Sequence, residues 1–413
     1  MKSTVFQTLK DRGYIYQCTN QEAVEKNLSS HTPTTFYLGI DPTADSLHIG
    51  HFFALMMFRH LQDAGHKGIL VIGGATALVG DPSQKNDMRK MLTKEQVQHN
   101  LDEVKELAKR FIKVDGDNPA VILNNADWFK DYSYVDFMRE IGIHFNINKM
   151  LAADAYANRL SEGGLTFLEM GYMLMQAYDF VYLNREYGCT LQIGGSDQWG
   201  NIVAGTTLNR KLNFIDETIE NDENDIYGLT NPLLLTKEGK KMGKTESGAL
   251  WVARDKTTPY DFYQYFYNVS DEDVDMLLRL FTRLPLARIN ELINRDIIAA
   301  KKTMAYEITK LVHGNEEADK VVDAVNALFK ADADSDNAPK FIMDQTVLDN
   351  GIALIDLLVE SQFLPSKSEA RRMIQQGGIS LNGSKVDDMQ RMVTKNDAAD
   401  NSLLLKRGKK NFL

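Results

Sequence analysis

Two histidines, His48 and His51, stand one helical turn apart at the start of a long apolar segment. A helix N-terminus binds anions through its unpaired N–H groups and partial positive charge, and two imidazoles on one face add hydrogen-bond donors. The pattern therefore predicts a phosphate site. Either histidine alone would fit a core or surface position near a helix start, so a second motif is needed to decide.

The second motif is a lysine-rich run far downstream, Lys240-Lys241-Met242-Gly243-Lys244-Thr245. Lysines that flank glycine and threonine in a flexible loop can clamp a polyphosphate, because an ammonium group is a strong point donor without fixed geometry. Alone, the run would more often be a solvated cluster of charges. Its occurrence together with the histidine motif, in this order, favours a polyphosphate-binding loop.

The elements that must position these motifs alternate between strand and helix. Thr35–Ile40 is rich in β-branched and aromatic residues, Asp41-Pro42-Thr43 breaks it, and residues 52–61 are then apolar at helical length. Further strands are predicted at 69–72, 120–124 and 190–195, the last strand of the sheet, with helices at 94–113 and 167–182. This alternation predicts an α/β fold with a parallel sheet and a ligand crevice where its strands end.

The glycine-rich fingerprints of dinucleotide-binding and P-loop proteins are missing from this first unit. His48-Ile49-Gly50-His51 instead resembles the HIGH signature of class I aminoacyl-tRNA synthetases. With Tyr37-x-Gly39-x-Asp41 upstream, it closely resembles bacterial tyrosyl-tRNA synthetase. The lysine-rich run resembles the KMSKS loop of the same family, with Gly243 in place of a serine. The resemblance covers nearly the whole chain and implies a Rossmann-like, HUP-type catalytic domain.

The resemblance implies roles for the residues at matching positions. Catalysis would fall to Thr43, His48, His51, Lys85, Arg89, Lys241, Lys244 and Thr245. Tyrosine would be bound by Tyr37, Asp81, Tyr172, Gln176, Asp179, Gln192 and Gln198. ATP would contact Gly39, Asp41, His48, Gly50, Gly195, Asp197 and Lys244, and Mg²⁺ would accompany the ATP without protein ligands.

Three residues of the helix at 167–182 carry the specificity hypothesis. Tyr172, Gln176 and Asp179 fall at i, i+4 and i+7 and share one face of an otherwise apolar helix. They could satisfy one another in the core. By the resemblance, Tyr172 and Gln176 hold the α-ammonium of tyrosine with Asp81, while Asp179 and Tyr37 meet its phenolic hydroxyl. Tyrosyl-tRNA synthetases are themselves the known case in which such a site rejects phenylalanine by roughly 10⁴–10⁵-fold without editing.

At 413 residues the chain exceeds what one compact core usually supports. The expected parts are a catalytic domain at 1–230 with a connective insertion at about 131–164, a KMSKS-type loop at 231–250, an α-helical anticodon-recognition domain at 251–330, a linker at 331–347 and a small α+β, S4-like RNA-binding domain at 348–413. The resemblance alone assigns much of a homodimer interface to the insertion.

The last part of the chain combines a basic helix with a hairpin signal. Its spacing of Ser368, Arg371-Arg372, Gly377-Gly378 and Asn382-Gly383 resembles the RNA-binding domain of ribosomal protein S4. Such a unit presents charge to an RNA backbone. A lysine-rich solubilising tail is the alternative, which the hairpin pattern disfavours. The candidate RNA contacts are Lys367, Arg371, Arg372, Lys406 and Arg407.

The composition of the chain argues against several classes of protein. The formal net charge of −10 argues against a protein that coats nucleic acid, although a local basic surface remains compatible with it. Cys18 and Cys189 offer neither a disulfide framework nor metal-ligand spacing. The N-terminus lacks the apolar core of a signal peptide, and no stretch reaches the length of a membrane span. These features predict a cytoplasmic protein.

The resemblance implies a function, ATP-dependent ligation of tyrosine to its cognate tRNA by a homodimer. Two other classes of protein would explain part of the sequence. A nucleotidyl transferase that activates a different small acid would leave the RNA-binding tail without a role. A non-catalytic RNA-binding or splicing factor on the same scaffold would leave the phosphate-binding residues without one.

Overall fold

The computed structural model describes residues 4–84, 91–215, 225–245, 248–329, 340–382, 384–398, 402–408 and 411–413. The chain divides into two compact units, Met1–Gly314 and Asn315–Leu413. None of the helices within these ranges is long and apolar enough to cross a membrane. The finer five-part division stays a prediction, and much of the linker predicted at 331–347 lies outside the described residues.

The first unit is built on a six-stranded sheet with the spatial order β1-β6-β5-β2-β3-β4. Its strands are β1 (Gln17–Cys18), β2 (Thr35–Ile40), β3 (Lys67–Ile72), β4 (Val121–Asn124), β5 (Cys189–Gly195) and β6 (Tyr227–Asn231). All neighbours from β6 to β4 pair in parallel, and β1 pairs antiparallel at the edge. A separate ribbon joins β7 (Lys244–Thr245) and β8 (Gly248–Ala249).

The parallel sheet is confirmed, but the prediction that residues 190–195 form its last strand was wrong. β6 follows β5 in the chain and lies beside it. Glycine and asparagine within β6 are residues that strands usually avoid, and the pairing with β5 overrides that local preference.

Helices surround the sheet and continue beyond it. They are α1 (Val5–Arg12), α2 (Gln21–Ser29), α3 (Ile49–Asp63), α4 (Thr76–Val79), α5 (Lys94–Ala108), α6 (Ala126–Phe129), α7 (Tyr134–Glu140), α8 (Ile147–Leu151), α9 (Asp154–Glu162), α10 (Phe167–Tyr187), α11 (Trp199–Ile215), α12 (Pro259–Tyr267), α13 (Val274–Phe281), α14 (Leu286–Arg295) and α15 (Ile297–His313). The run from α12 to α15 confirms the consecutive helices expected after the lysine-rich motif.

Local sequence explains the limits of α10, the helix that carries three of the predicted tyrosine-binding residues. Thr166 and Glu169 form a capping box at its start. Gly188 ends it with φ of +61°, a conformation that glycine adopts without strain. Tyr172 and Asp179 are buried on this helix, so their polar groups must be satisfied inside the protein or by a ligand.

The second unit is small and mixed. It contains α16 (Asn315–Phe329), α17 (Gln345–Asn350), α18 (Leu354–Glu360), α19 (Lys367–Gln375), β9 (Ile352–Ala353), β10 (Ile379–Leu381), β11 (Ser384–Lys385), β12 (Met392–Val393), β13 (Leu405–Arg407) and β14 (Asn411–Phe412). Leu358, Ile374 and Ile379 are fully buried in its core. Leu381 pairs with Ser384 across a two-residue turn in which Asn382 has φ of +48°, which confirms the predicted hairpin.

Candidate active site

The turn after β2 leads into α3 with His48 as the N-terminal cap. His48 Nδ1 accepts hydrogen bonds from the N–H groups of Gly50 at 3.1 Å and His51 at 3.4 Å, and His51 Nδ1 accepts from the His48 N–H at 3.3 Å. The two rings stack with centroids 3.8 Å apart. A Cβ on Gly50 would lie 3.0 Å from the His48 ring, so glycine leaves room for this arrangement. Since both Nδ1 atoms accept, each neutral ring carries its proton on Nε2.

Burial lowers the pKa of His48 to about 4, with a further contribution from the charge of Lys241. Burial, and then the neighbouring His48, also holds the pKa of His51 well below its ordinary value. We expect ¹⁵N NMR of histidine-labelled protein to show both rings as neutral Nε2–H tautomers down to a pH of about 5, with assignments from single His→Asn variants. Titration of either ring near the ordinary pKa of about 6.5 would contradict this geometry.

The two motifs meet through backbone pairing. Hydrogen bonds of 3.0 and 2.9 Å join residues 47–49 to residues 250–252, just beyond the lysine-rich run. The Trp251 ring lies 6.3 Å from the His48 ring. Lys241 is exposed, and its charge acts on His48. Sequence elements separated by two hundred residues therefore form one site.

The structure describes only some of the predicted catalytic side chains. Thr43 lies in the exposed turn before α3, where its N–H donates to the Asp41 carbonyl at 2.8 Å. Lys85 and Arg89 lie outside the described residues, as do the side chains of Lys244 and Thr245. The backbone of the last two forms β7. Their catalytic roles stay predictions.

Three buried atoms of the predicted tyrosine pocket have no hydrogen-bond partner within the described ranges: Tyr37 Oη, Gln176 Oε1 and Gln192 Oε1. Tyr37 and Gln192 are register partners on β2 and β5 and therefore lie side by side. Burial, with the charge of Asp179, raises the pKa of Tyr37. Because buried polar atoms are nearly always paired in native proteins, these three mark a site for a polar ligand.

Asp179 is held by two residues to which the sequence analysis gave no role. Trp128 Nε1 donates to its Oδ1 at 2.8 Å, and Asn125 Nδ2 donates to its Oδ2 at 3.2 Å. Burial raises the pKa of Asp179 to about 8 in spite of these donors. Asn125 and Trp128 both follow the carboxyl end of β4, and ligands of parallel sheets bind at that edge. Their position after a predicted strand could therefore have identified them as site residues from the sequence.

Asp81 and Gln198 are brought together as expected for two residues of one pocket. Gln198 Nε2 donates to Asp81 Oδ2 at 2.7 Å, and the hydroxyl of Ser83 donates to the same oxygen at 2.5 Å. Burial raises the pKa of the Asp81 carboxyl. The Tyr172 hydroxyl donates to Asp41 at 2.8 Å, and burial together with the charges of Asp41 and Asp81 raises its pKa. These residues therefore surround one polar region.

The carboxyl ends of β2 and β5 leave space beside the backbone. Gly39 is exposed although β2 lies inside the sheet, and a Cβ built there would meet nothing within 4 Å. The Asp41 carboxylate that follows accepts from the Thr76 hydroxyl at 2.7 Å. At the end of β5, a Cβ on Gly195 would lie 2.4 Å from Asp197 Oδ1, so glycine is what lets this carboxylate approach the strand.

The family model described as tRNA synthetases class I (W and Y) matches residues 29–330, which contain both motifs. The chain belongs to this family. A second model, the tyrosine–tRNA ligase SYY-like C-terminal domain, matches residues 334–413 of the synthetase.

Relatives of the synthetase carry consistent names. It is 50% identical to a tyrosine–tRNA ligase of Clostridium botulinum (strain Eklund 17B / Type B) and 48% identical to one of Acetivibrio thermocellus, each match covering 99% of this chain and 98% of the relative. A C-terminally truncated mitochondrial tyrosyl-tRNA synthetase of Coccidioides posadasii matches in structure with a TM-score of 0.67 and 30% identity, over 78% of this chain and 92% of that one. The predicted family and the Rossmann-like fold are confirmed.

The candidate RNA contacts of the synthetase lie on two elements of the second unit. Lys367, Arg371 and Arg372 are on α19, and Lys406 and Arg407 are on β13. β13 pairs with β10, the strand after α19, and Arg407 is the register partner of Ile379 at the start of that strand. The ion pairs Lys367–Asp356 at 2.7 Å and Arg372–Glu369 at 2.5 Å are largely exposed, and such pairs contribute little to stability. RNA contact by these residues stays a prediction.

Proposed function

We infer that this chain is a tyrosine–tRNA ligase, which activates tyrosine with ATP and transfers it to the 3′ end of its cognate tRNA. The observation that carries the inference is the pairing of residues 47–49 with residues 250–252, because it brings a double-imidazole helix cap close to the lysine-rich run at 240–245. Relatives of 48% and 50% identity over 99% of the chain bear this name, which supports it.

Activation is a displacement at phosphorus. An oxygen of the tyrosine carboxylate attacks the α-phosphorus of ATP in line, and the bond to pyrophosphate breaks with its electron pair leaving on pyrophosphate. Charge develops on phosphate oxygens, so positioned donors can catalyse this step without a general base or a covalent nucleophile. His48 and His51 would each offer a neutral Nε2–H donor. Thr43, Lys85, Arg89, Lys241, Lys244 and Thr245 would complete the set.

In the second step a terminal ribose hydroxyl of tRNA attacks the carbonyl carbon of tyrosyl adenylate. The tyrosyl ester forms as the bond to AMP breaks, and the hydroxyl proton leaves with the phosphate or solvent. The same positioned groups would hold the adenylate in place during this transfer.

Tyrosine selection would rest on the unpartnered polar atoms of the pocket. Tyr37 and Asp179 would meet the phenolic hydroxyl, and the fixed orientation of Asp179 by Trp128 and Asn125 supports this role. Tyr172, Gln176 and Asp81 would hold the α-ammonium group, with Gln192 and Gln198 beside them. A substrate without the phenolic hydroxyl would leave buried polar groups unpaired.

ATP would lie over the carboxyl ends of β2 and β5. The exposed Gly39, Gly50 at the helix start and Gly195 allow close approach of a nucleotide to the backbone. Asp197 would take the ribose hydroxyls, and Asp41 would lie beside them. Mg²⁺ is expected to enter with ATP and to neutralise phosphate charge there.

We also propose that the synthetase is a cytoplasmic homodimer. Large apolar side chains are exposed within the 131–164 insertion, among them Tyr134, Val135, Ile143 and Ile147. Apolar side chains clustered in one exposed segment are typical of an interface between proteins. The basic residues of α19 and β13 would contact the phosphate backbone of tRNA.

The experiment that tests the function is exchange of labelled pyrophosphate into ATP with each of the twenty amino acids in turn and no tRNA present. We expect exchange with tyrosine alone. Exchange with another amino acid would contradict the specificity, and no exchange with any of them would contradict activation itself. Adding tRNA for tyrosine should then give charged tRNA.

A further inference from the structure

We call residues 235–245 the lysine loop. Gly243, near its end, is buried and has φ of +80°. A Cβ on Gly243 would lie 2.3 Å from Ile49 Cγ2, in the first turn of α3. Both the backbone conformation and the lack of space therefore require glycine. Gly243, which replaces a serine of the KMSKS pattern, is therefore the residue through which the lysine loop contacts the histidine motif.

Backbone groups on both sides of this contact are hydrogen-bonded. The Gly243 N–H donates to the hydroxyl of Tyr265 on α12 at 2.8 Å. The Gly243 carbonyl accepts from the Leu250 N–H at 2.7 Å. Tyr265 thus satisfies the N–H group of a buried residue, and it does so within the segment that contains Lys241 and Lys244.

The other end of the lysine loop is anchored to the same helical region. The Lys237 N–H donates to Asp273 Oδ1 at 2.8 Å, and Asp273 is only 2% exposed. Two side chains from outside the sheet therefore hold the loop at two points, and the Tyr265 contact is the one next to Lys241 and Lys244. Losing it would free the loop where the phosphates are expected.

We propose that Tyr265 is a positioning residue for tyrosine activation, a role that rests on the proposed function. Its hydroxyl holds Gly243 against Ile49 and thereby keeps Lys241 near His48. Tyr265 acts through the loop backbone and does not itself touch the substrates. Holding the loop in one place reduces the ordering that catalysis must otherwise supply.

Limited proteolysis of the free full-length protein tests the docking. Tyr265→Phe removes one hydroxyl, and we expect trypsin to cut after Lys241 and Lys244 about 3–10-fold faster, as follows from loss of one hydrogen bond. Tyr263→Phe is the matched control, because Tyr263 lies on the same helix, stacks on Tyr267 and makes no hydroxyl hydrogen bond within the described ranges. It should be cut at the wild-type rate.

Gly243→Ala tests the same contact more strongly. The added methyl group would overlap Ile49 and strain the backbone, so we expect cleavage to rise by more than tenfold and kcat for activation to fall by at least tenfold. KM for tyrosine should change by less than about twofold, because the tyrosine pocket lies on other elements. A general loss of folding would instead lower the melting temperature and the folded fraction, and kcat calculated per folded enzyme would then be unchanged.

The outcomes separate the proposal from the function it rests on. Wild-type cleavage rates in Tyr265→Phe, or equal rates in the Tyr265→Phe and Tyr263→Phe variants, would overturn the positioning role even in an active enzyme. Faster cleavage of Tyr265→Phe in a protein that catalyses no tyrosine-dependent exchange would uphold the docking of the loop and overturn the proposed function.

Discussion

A His48→Asn variant is expected to keep its helix cap and to lose about 10²–10³ in kcat for tyrosyl adenylate formation. Asparagine is among the best N-terminal caps, and its side-chain oxygen can accept the N–H groups of Gly50 and His51 that His48 Nδ1 accepts now. The shorter amide cannot reach the position of Nε2, so the donor that we propose for the phosphates is lost. Pyrophosphate exchange gives kcat and KM, and thermal unfolding gives stability.

His48→Ala is the matched comparison, because it removes the cap and the donor together. We expect it to be about as inactive as His48→Asn but less stable by about 0.5–2 kcal/mol. A His48→Asn variant with wild-type kcat would show that the imidazole serves only the helix. Equal losses of stability in both variants would show that asparagine does not replace the cap.

The second large effect concerns specificity. A Tyr37→Phe variant is expected to lose about 10–100-fold of its preference for tyrosine over phenylalanine, measured as the ratio of kcat/KM values in exchange. The Tyr37 hydroxyl is buried without a partner in the described part of the chain, so its removal should not destabilise the fold. With tyrosine bound, the variant loses one hydrogen bond; with phenylalanine bound, it no longer leaves that hydroxyl unpaired.

The full preference known for tyrosyl-tRNA synthetases, about 10⁴–10⁵-fold, exceeds what one hydroxyl supplies. The remainder is expected from Asp179, which Trp128 and Asn125 hold in place. An unchanged preference in Tyr37→Phe, within a factor of two, would remove Tyr37 from the specificity hypothesis. A fall in melting temperature of several degrees would instead show that the hydroxyl is structural.

The features that sequence predicted well are those with local causes. The strand Thr35–Ile40, its proline-containing turn and the apolar helix behind His48 each follow from neighbouring residues, and so do the Asn382 turn and the start of α10. The end of α10 was not predicted correctly, because the helix continues past residue 182 to Tyr187. The two motifs were recognisable because each occupies a few consecutive positions. For these elements, local preference and tertiary structure agree.

The features that sequence did not predict depend on partners distant in the chain. β6 becomes a strand because β5 offers a parallel edge, in spite of its glycine and asparagine. Asn125 and Trp128 matter only because α10 places Asp179 within their reach. Tyr265 appeared as one of several core aromatics on α12, and only the fold shows that its hydroxyl accepts the Gly243 N–H. A periodic pattern of residues in the sequence does not reveal such contacts between distant parts of the chain.

The pairing of residues 47–49 with residues 250–252 also determines when the enzyme becomes competent during its synthesis. At about 5–20 residues per second, the ribosome needs about 10–40 s to pass from one partner to the other. In the last part of that time all six strands of the sheet have been synthesised, whereas the loop that we propose for the phosphate site is not yet complete. Because the proposed tyrosine pocket extends to Gln198, a nascent chain could hold tyrosine only about 3–10 s before it could activate it, and no reactive adenylate would form earlier.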